Sequence, residues 1–318
     1  VYYKRWKNMK TAFIFAGQGA QYKGMGKELY DNFACAKEVF DKADEALGFS
    51  IKDICFVDEE DKLNKTEFTQ PAILTMSIAA MKVLEEKGIM PDYAAGLSLG
   101  EYSADVCSGV FDFQDAVRLV RKRGRFMTEA VPEGKGAMYA ILGLDRETVI
   151  KACEEGRKFG YVSPANFNAP GQIVIAGEAE AVEKTAAILK ERKAKMTVKL
   201  KVSGPFHTAL LKPAADKLAL ELEKININDM RIPVITNVTG MPIEKTEDIS
   251  DTLVKQVMNP VKWEDTVRYL YDNGVDTFIE VGPGKTLSGF VKRTVKGVKI
   301  FNVEDIKSLE RTLEGIKK

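Results

Sequence analysis

The stretch "PDYAAGLSLGEYSADVCSG" (residues 91–109) sets one serine, Ser98, between two glycines in the pattern G-x-S-x-G. The apolar run before it predicts a short strand, and from Gly100 onward the pattern is helical. A strand, a tight turn carrying serine and then a helix is the layout of a nucleophile elbow. Gly96 and Gly100 suit it, because the turn is sharp and the helix packs close on the strand. The serine oxygen would stand at a helix N-terminus, where negative charge is stabilised, with the backbone N–H of Leu99 facing an oxyanion. The pentapeptide alone equally allows a structural serine, Ser98 or Ser103, that caps the helix.

Working outward, "TAFIFAG" (residues 11–17) predicts a buried strand that ends in the glycine-rich turn "GQGAQYKGMG". Helical patterns follow around residues 33–47 and 69–87, then the "YAAGLS" strand. This alternation predicts an α/β fold, with a parallel sheet covered on both faces. From "GKGAMYAILGL" to "AKMTVKLKVSG" the order becomes β-α-β-β-α-β, the split βαβ of ferredoxin-like units. Glycine-rich "VPEGKGA" and "SGPFH" bracket it, which places an inserted subdomain at residues 130–204. The large subdomain then comprises residues 9–129 and 205–318. Its second part has helices near 208–225 and 249–273 and strands at "RIPVITN", "DTFIEVG" and "VKIFNVE". Residues 1–8 precede the first convincing strand and are expected to be an upstream extension.

Of the 318 residues 45% are hydrophobic and 29% charged, with a formal net charge of +1. That balance argues against nucleic acid as the main partner. No apolar run approaches the roughly 20 residues that span a bilayer, so no membrane association is expected. Cys35, Cys55, Cys107 and Cys153 are scattered without a C-x-x-C pair, which suits free thiols in a reducing cytoplasm. With one histidine in the chain, a zinc site is not expected.

A serine needs a base, and the single histidine is His207. Projected at 100° per residue it falls on the stripe of Leu211, Ala215, Leu218, Leu222 and Ile225. That predicts an inward-facing ring at a helix start, where the dipole would keep the imidazole neutral. A satisfied, half-buried histidine is the plainer alternative, and Pro213 blurs the helix start. No acid stands in a motif that marks it as a third member. A carbonyl or amide oxygen could orient the ring instead.

In "DAVRLVRKRGRFMTEAV", Ala116, Leu119, Val120, Met127 and Ala130 form one apolar stripe. Arg118, Arg121, Lys122 and Arg125 lie opposite, whereas Arg123 lands inside the stripe. A guanidinium directed into a core is costly unless an anion meets it. Either a buried carboxylate of the protein or a free carboxylate on a substrate would serve. With Ser98 and His207, the second choice describes serine acyl transfer of a group ending in a carboxylate.

These pieces resemble the malonyl-CoA:acyl carrier protein transacylases of fatty acid synthesis over nearly the whole chain from Met9. The similarity is carried by "FAGQGAQYKGMG", "GLSLGEYSA", "RGRFM", "VPEGKGAM", "NFNAPGQIVIAG", "SGPFHTALLKPAA", "QVMNPVKW" and "EVGPGKTLSGF", in that order. The resemblance implies a large α/β-hydrolase-like subdomain with a ferredoxin-like insertion. It implies Ser98 as nucleophile, His207 as base and Arg123 as the grip on the malonyl carboxylate. The backbone amides of Gln18 and Leu99 would form the oxyanion hole. Gln256 would orient the histidine in place of an acid, and Asn166 lies in a matching motif. One departure is Leu97, where relatives commonly have histidine before the nucleophile, and acyl selectivity is where it would matter. The implied reaction is ping-pong, from malonyl-CoA to the phosphopantetheine thiol of holo acyl carrier protein, with no permanently bound cofactor. A cytoplasmic monomer is expected. The rival expectations are a serine thioesterase or other hydrolase on the same elbow, and a non-catalytic carrier-protein docking subunit.

Overall fold

The computed structural model of the chain describes residues 9–202 and 204–317. The expected extension at residues 1–8 lies outside them. In chain order the strands are β1 (Thr11–Phe15), β2 (Tyr93–Gly96), β3 (Gly136–Leu142), β4 (Val162–Ala169) and β5 (Gln172–Glu178). After these come β6 (Met196–Lys199), β7 (Val234–Ile235), β8 (Thr277–Val281) and β9 (Lys299–Val303).

A parallel sheet has the order β7-β2-β1-β8-β9. β1 and β8 are buried along their whole length, as central parallel strands with helices on both faces must be. Alternation divides β1 between two cores. Phe13 and Phe15 join the helices Ala34–Leu47, Thr66–Glu86 and Phe113–Glu129, whereas Ala12 and Ile14 pack with Trp263–Asp272 and Thr286–Thr294. In the β1–β2 register Phe15 pairs with Gly96, so the turns after both strands emerge side by side at the carboxyl edge. β7 pairs with β2, which brings the turn after Ile235 to the same edge. Ligands of open α/β sheets bind at such an edge.

A separate antiparallel sheet has the order β4-β5-β3-β6. Its helices Arg146–Gly156 and Ala179–Glu191 cover one face around Ile141, Val149, Val162 and Ile175. Met138, Val174 and Ala176 of the other face join the core of the parallel-sheet body. Backbone hydrogen bonds of 2.8 Å from Phe167 N to Val261 O and from Val261 N to Ala165 O stitch β4 to that body. The Arg146 guanidinium adds a bidentate bridge to Asp265 at 3.0 and 3.1 Å.

Three expectations need correction. The helix expected over 249–273 is two helices, Ile249–Met258 and Trp263–Asp272. Pro260 forces Asn259 into extended backbone (φ −119°, ψ 154°), which ends the first of them. The helix expected over 208–225 is Lys212–Leu222, preceded by the 3₁₀ turn Ala209–Leu211. "RIPVITN" contributes only the two residues of β7. The short helices Lys27–Asn32 and Ile51–Phe56 and the helix Ile306–Lys317 were not expected. The four cysteines are free, and Cys55, Cys107 and Cys153 are buried. Among the described residues no helix is long and apolar enough to cross a membrane.

Candidate active site

Ser98 joins β2 to the helix Leu99–Ser108 with φ 55° and ψ −103°, a conformation that costs a non-glycine residue about 1–3 kcal/mol. The turn can be this tight because Gly96 and Gly100 lack side chains. A Cβ on Gly96 would collide with the backbone of Gly100, and one on Gly100 with the carbonyl of Phe15. The Ser98 side chain makes no capping hydrogen bond to its helix, which removes the structural-cap alternative for this residue. Its backbone is instead clamped from outside. Ser98 N–H donates to Asn237 Oδ1 at 2.6 Å, Asn237 Nδ2 donates to Gly96 O at 2.7 Å, and Gln256 Nε2 donates to Ser98 O at 2.9 Å.

His207 does lie against the serine, for a different reason from the helical projection. It sits in a turn ahead of the helix with φ 61°, so the stripe from Leu211 onward does not aim its ring. The ring is 4% exposed. Its Nδ1 is 2.8 Å from the backbone carbonyl of Gln256, and its Nε2 is 2.7 Å from Ser98 Oγ. A carbonyl oxygen can only accept, so Nδ1 carries the proton and Nε2 accepts the Ser98 hydroxyl. Burial, then the charge of Arg123, pushes the imidazole pKa down from 6.5 to about 4, against hydrogen bonds to the Gln256 and Asn259 backbone that raise it. Burial and a neighbouring cation therefore keep the ring neutral, in place of the helix dipole.

Arg123 is 1% exposed at the centre of the buried stripe of Phe113–Glu129. Gly124 lets this helix approach Thr66–Glu86 closely, since a Cβ there would press on the Thr66 backbone. The approach brings Gln70 within reach. Arg123 Nη1 donates to Gln70 Oε1 at 2.8 Å, and Nη2 donates to Gln256 Oε1 at 2.8 Å and to Ser98 Oγ at 3.2 Å. Its Nε is buried with no acceptor in hydrogen-bond geometry among the described residues, and the Tyr102 ring lies 5.2 Å from the guanidinium carbon. Among the described residues no carboxylate forms an ion pair with it, so no buried protein carboxylate meets the guanidinium directly. Burial pulls its pKa down, while Tyr102 and Glu101 support the charge.

A cleft of about 270 Å³ opens above Ser98 and His207, with Gln18, Leu97, Asn166 and Asn168 among its walls. It lies between the two sheets, Asn166 and Asn168 coming from β4. Gln18 Nε2 donates to Thr66 Oγ1 at 3.1 Å. Leu99 opens its helix, so its N–H precedes the first intrahelical acceptor. Neither that N–H nor the one of Gln18 meets an acceptor among the described residues. Among those residues no group of three His, Cys, Asp or Glu is placed to hold a metal.

Sequence reasoning missed Gln70, Asn237 and Glu101. The first two meet the site only through the fold, 53 and 139 residues away from their partners. Glu101 did leave a signal. Ser98 and Glu101 spell the S-x-x-E of a capping box, yet neither side chain caps the helix, which marks both as otherwise engaged.

A nucleophile-ready hydroxyl, a ring of fixed tautomer and an unneutralised guanidinium at the carboxyl edge of a parallel sheet define an acyl-transfer enzyme. The family model for the acyl transferase domain matches residues 12–313. The chain belongs to this family. It is 47% identical over 312 residues to the malonyl CoA-acyl carrier protein transacylase of Bacillus subtilis, covering 97% of this chain and 98% of the relative. Its fold is similar to the crystal structure of the malonyl CoA-acyl carrier protein transacylase from Clostridium perfringens, with a TM-score of 0.95, 50% identity and 97% of each chain covered. It is also similar to a malonyl-transacylase in complex with its type II PKS acyl-carrier protein, with a TM-score of 0.93, 46% identity and coverage of 96% and 99%.

Proposed function

We propose that this chain transfers the malonyl group of malonyl-CoA to the phosphopantetheine thiol of an acyl carrier protein, through a malonyl ester on Ser98. The observation that carries the proposal is Arg123, a buried cation with neutral partners whose Nη2 also reaches Ser98 Oγ. A malonyl carboxylate would supply the missing counter-charge, and a simple acyl group would leave it unmet.

Ser98 Oγ attacks the thioester carbonyl while His207 Nε2 takes its proton. The oxyanion is held by the N–H groups of Gln18 and Leu99. Collapse expels the CoA thiolate, which takes the proton back from His207 and leaves malonyl-Ser98. The carrier thiol then gives its proton to His207, attacks the ester, and Ser98 Oγ recovers the proton as it leaves. Gln256 orients the ring through its backbone carbonyl, the part a triad acid plays elsewhere. Asn166 stands in the cleft wall as a candidate substrate contact. In the same reading residues 9–129 and 205–318 are an α/β-hydrolase-like body, and residues 130–204 a ferredoxin-like subdomain. The enzyme works as a cytoplasmic monomer without a bound cofactor, metal, membrane or nucleic acid.

Incubation with malonyl-CoA should add one malonyl mass at Ser98, and holo acyl carrier protein should discharge it. Loss of malonate to water faster than to the carrier thiol would favour the hydrolase reading instead. Because His207 is neutral down to about pH 4, the acidic limb of ester formation should fall near pH 4. An ordinary histidine would place it near 6.5. Below the limb the ring is already protonated and cannot accept from Ser98. Stopped-flow release of CoA across pH 4–8 tests this, provided the enzyme stays folded. Asn237→Ala removes two of the three side-chain clamps on the elbow, leaving the one from Gln256, and should slow ester formation about ten- to hundredfold for malonyl and acetyl alike. A change confined to one acyl group would show that Asn237 does something other than brace the turn.

A further inference from the structure

Beneath Ser98 lies a carboxylate that the transfer chemistry leaves unused. Glu101 is one turn along the helix Leu99–Ser108 and 2% exposed. Its Oε2 accepts from the Asn237 backbone N–H at 3.0 Å and from Gln256 Nε2 at 2.8 Å. Among the described residues no lysine or arginine forms an ion pair with it. Burial raises its pKa to about 7, opposed by Gln256, Asn237 and the charge of Arg123. An acid in such a place is a cost to the fold unless its hydrogen bonds accomplish something a nonpolar side chain could not.

The bond to Gln256 has a directional consequence. A glutamine amide can sit either way round, and its neighbours decide which. Glu101 Oε2 and Ser98 O both accept, so Nε2 must face them. Oε1 is thereby turned toward Arg123 and accepts from Nη2 at 2.8 Å, the same nitrogen that lies 3.2 Å from Ser98 Oγ. A flipped amide would set oxygen against two acceptors and NH₂ against a guanidinium. Glu101 also supports the positive charge of Arg123 across one intervening amide, without pairing with the guanidinium directly.

We propose that Glu101 is a positioning residue that aims Arg123 through the Gln256 amide, and so sets the preference for acyl groups ending in a carboxylate. The proposal rests on the malonyl-transfer reading. It separates from a merely structural role because an acetyl group has no use for Arg123. Damage to the elbow slows both acyl groups, whereas a misaimed guanidinium slows only malonyl.

The test measures kcat/KM for esterification of Ser98 by malonyl-CoA and by acetyl-CoA, with melting curves for each protein. Glu101→Ala should lower the malonyl-to-acetyl ratio at least about tenfold, the scale of one lost buried hydrogen bond. Glu101→Gln retains an acceptor for both donors and should return the ratio to within about threefold of wild type. If Glu101→Ala does not fold, Gln256→Ala breaks the same link while keeping the backbone carbonyl for His207, and should lower the ratio equally. An unchanged ratio in the folded alanine variant, or a glutamine variant that behaves like alanine, overturns the proposal. A wild-type enzyme that takes no malonyl on Ser98 would instead refute the reading beneath it.

Discussion

His207→Ala should slow formation of the malonyl ester by about 10³–10⁴-fold, the scale of a lost general base, and Ser98→Ala should abolish the adduct. The loss should be this large because nothing nearby can substitute. Among the described residues Ser98 Oγ has two hydrogen-bond partners, and the other, Arg123 Nη2, is a donor. Glu101 is turned away, its Oε2 committed to Asn237 and Gln256. His207 is the only histidine in the sequence. Residual reaction would come from the guanidinium and the N–H groups proposed to meet the oxyanion. Rapid-quench mass spectrometry measures the rate, and a variant that reacts within tenfold of wild type would mean another group takes the proton.

Arg123→Ala should cut malonyl transfer by about 10²–10³-fold, the range for removing one partner of a buried hydrogen-bonded charge pair. Acetyl transfer should be spared or improved, because it makes no use of the guanidinium and gains room. The same variant should alter the pH profile. Arg123 is one of the causes that depress the His207 pKa, so without it the acidic limb of acetyl transfer should move upward from about 4. Arg123→Lys should recover little, since one ammonium cannot reproduce donors directed at Gln70, Gln256 and a substrate at once. Equal loss of malonyl and acetyl transfer would make the arginine a structural residue.

The legible parts of the molecule were those set by short-range rules. Alternating strand and helix patterns gave the strands in chain order and a parallel sheet, because periodicity is a local property, whereas which strands lie side by side is set by long-range pairing. The elbow was readable from two glycines whose missing Cβ atoms admit backbone. Arg123 was readable because the helical period places it in an apolar stripe. His207 is legible through being unique, but its orientation is not, since a residue with φ 61° has left the periodic regime. The partner of its Nδ1 is a backbone carbonyl, which every residue possesses and no sequence singles out. Gln70 and Asn237 are polar side chains whose role begins only when distant segments meet. Leu97, which the resemblance singles out, lines the cleft with Ser98, the place from which it could touch an acyl group.

Arg123 comes from the buried stripe of the helix Phe113–Glu129, whereas the walls of the cleft between the two sheets come from other elements. Under the proposed function separate walls would inspect the two ends of the substrate, Arg123 serving as a floor for the tail of the acyl group and the mouth of the cleft receiving the thiol carrier. Tail preference and carrier preference should therefore be separable traits. A designer seeking a different building block can alter the floor around Gln70, Arg123 and Gln256 without rebuilding the entrance, and a lineage could exchange carriers while keeping its acid.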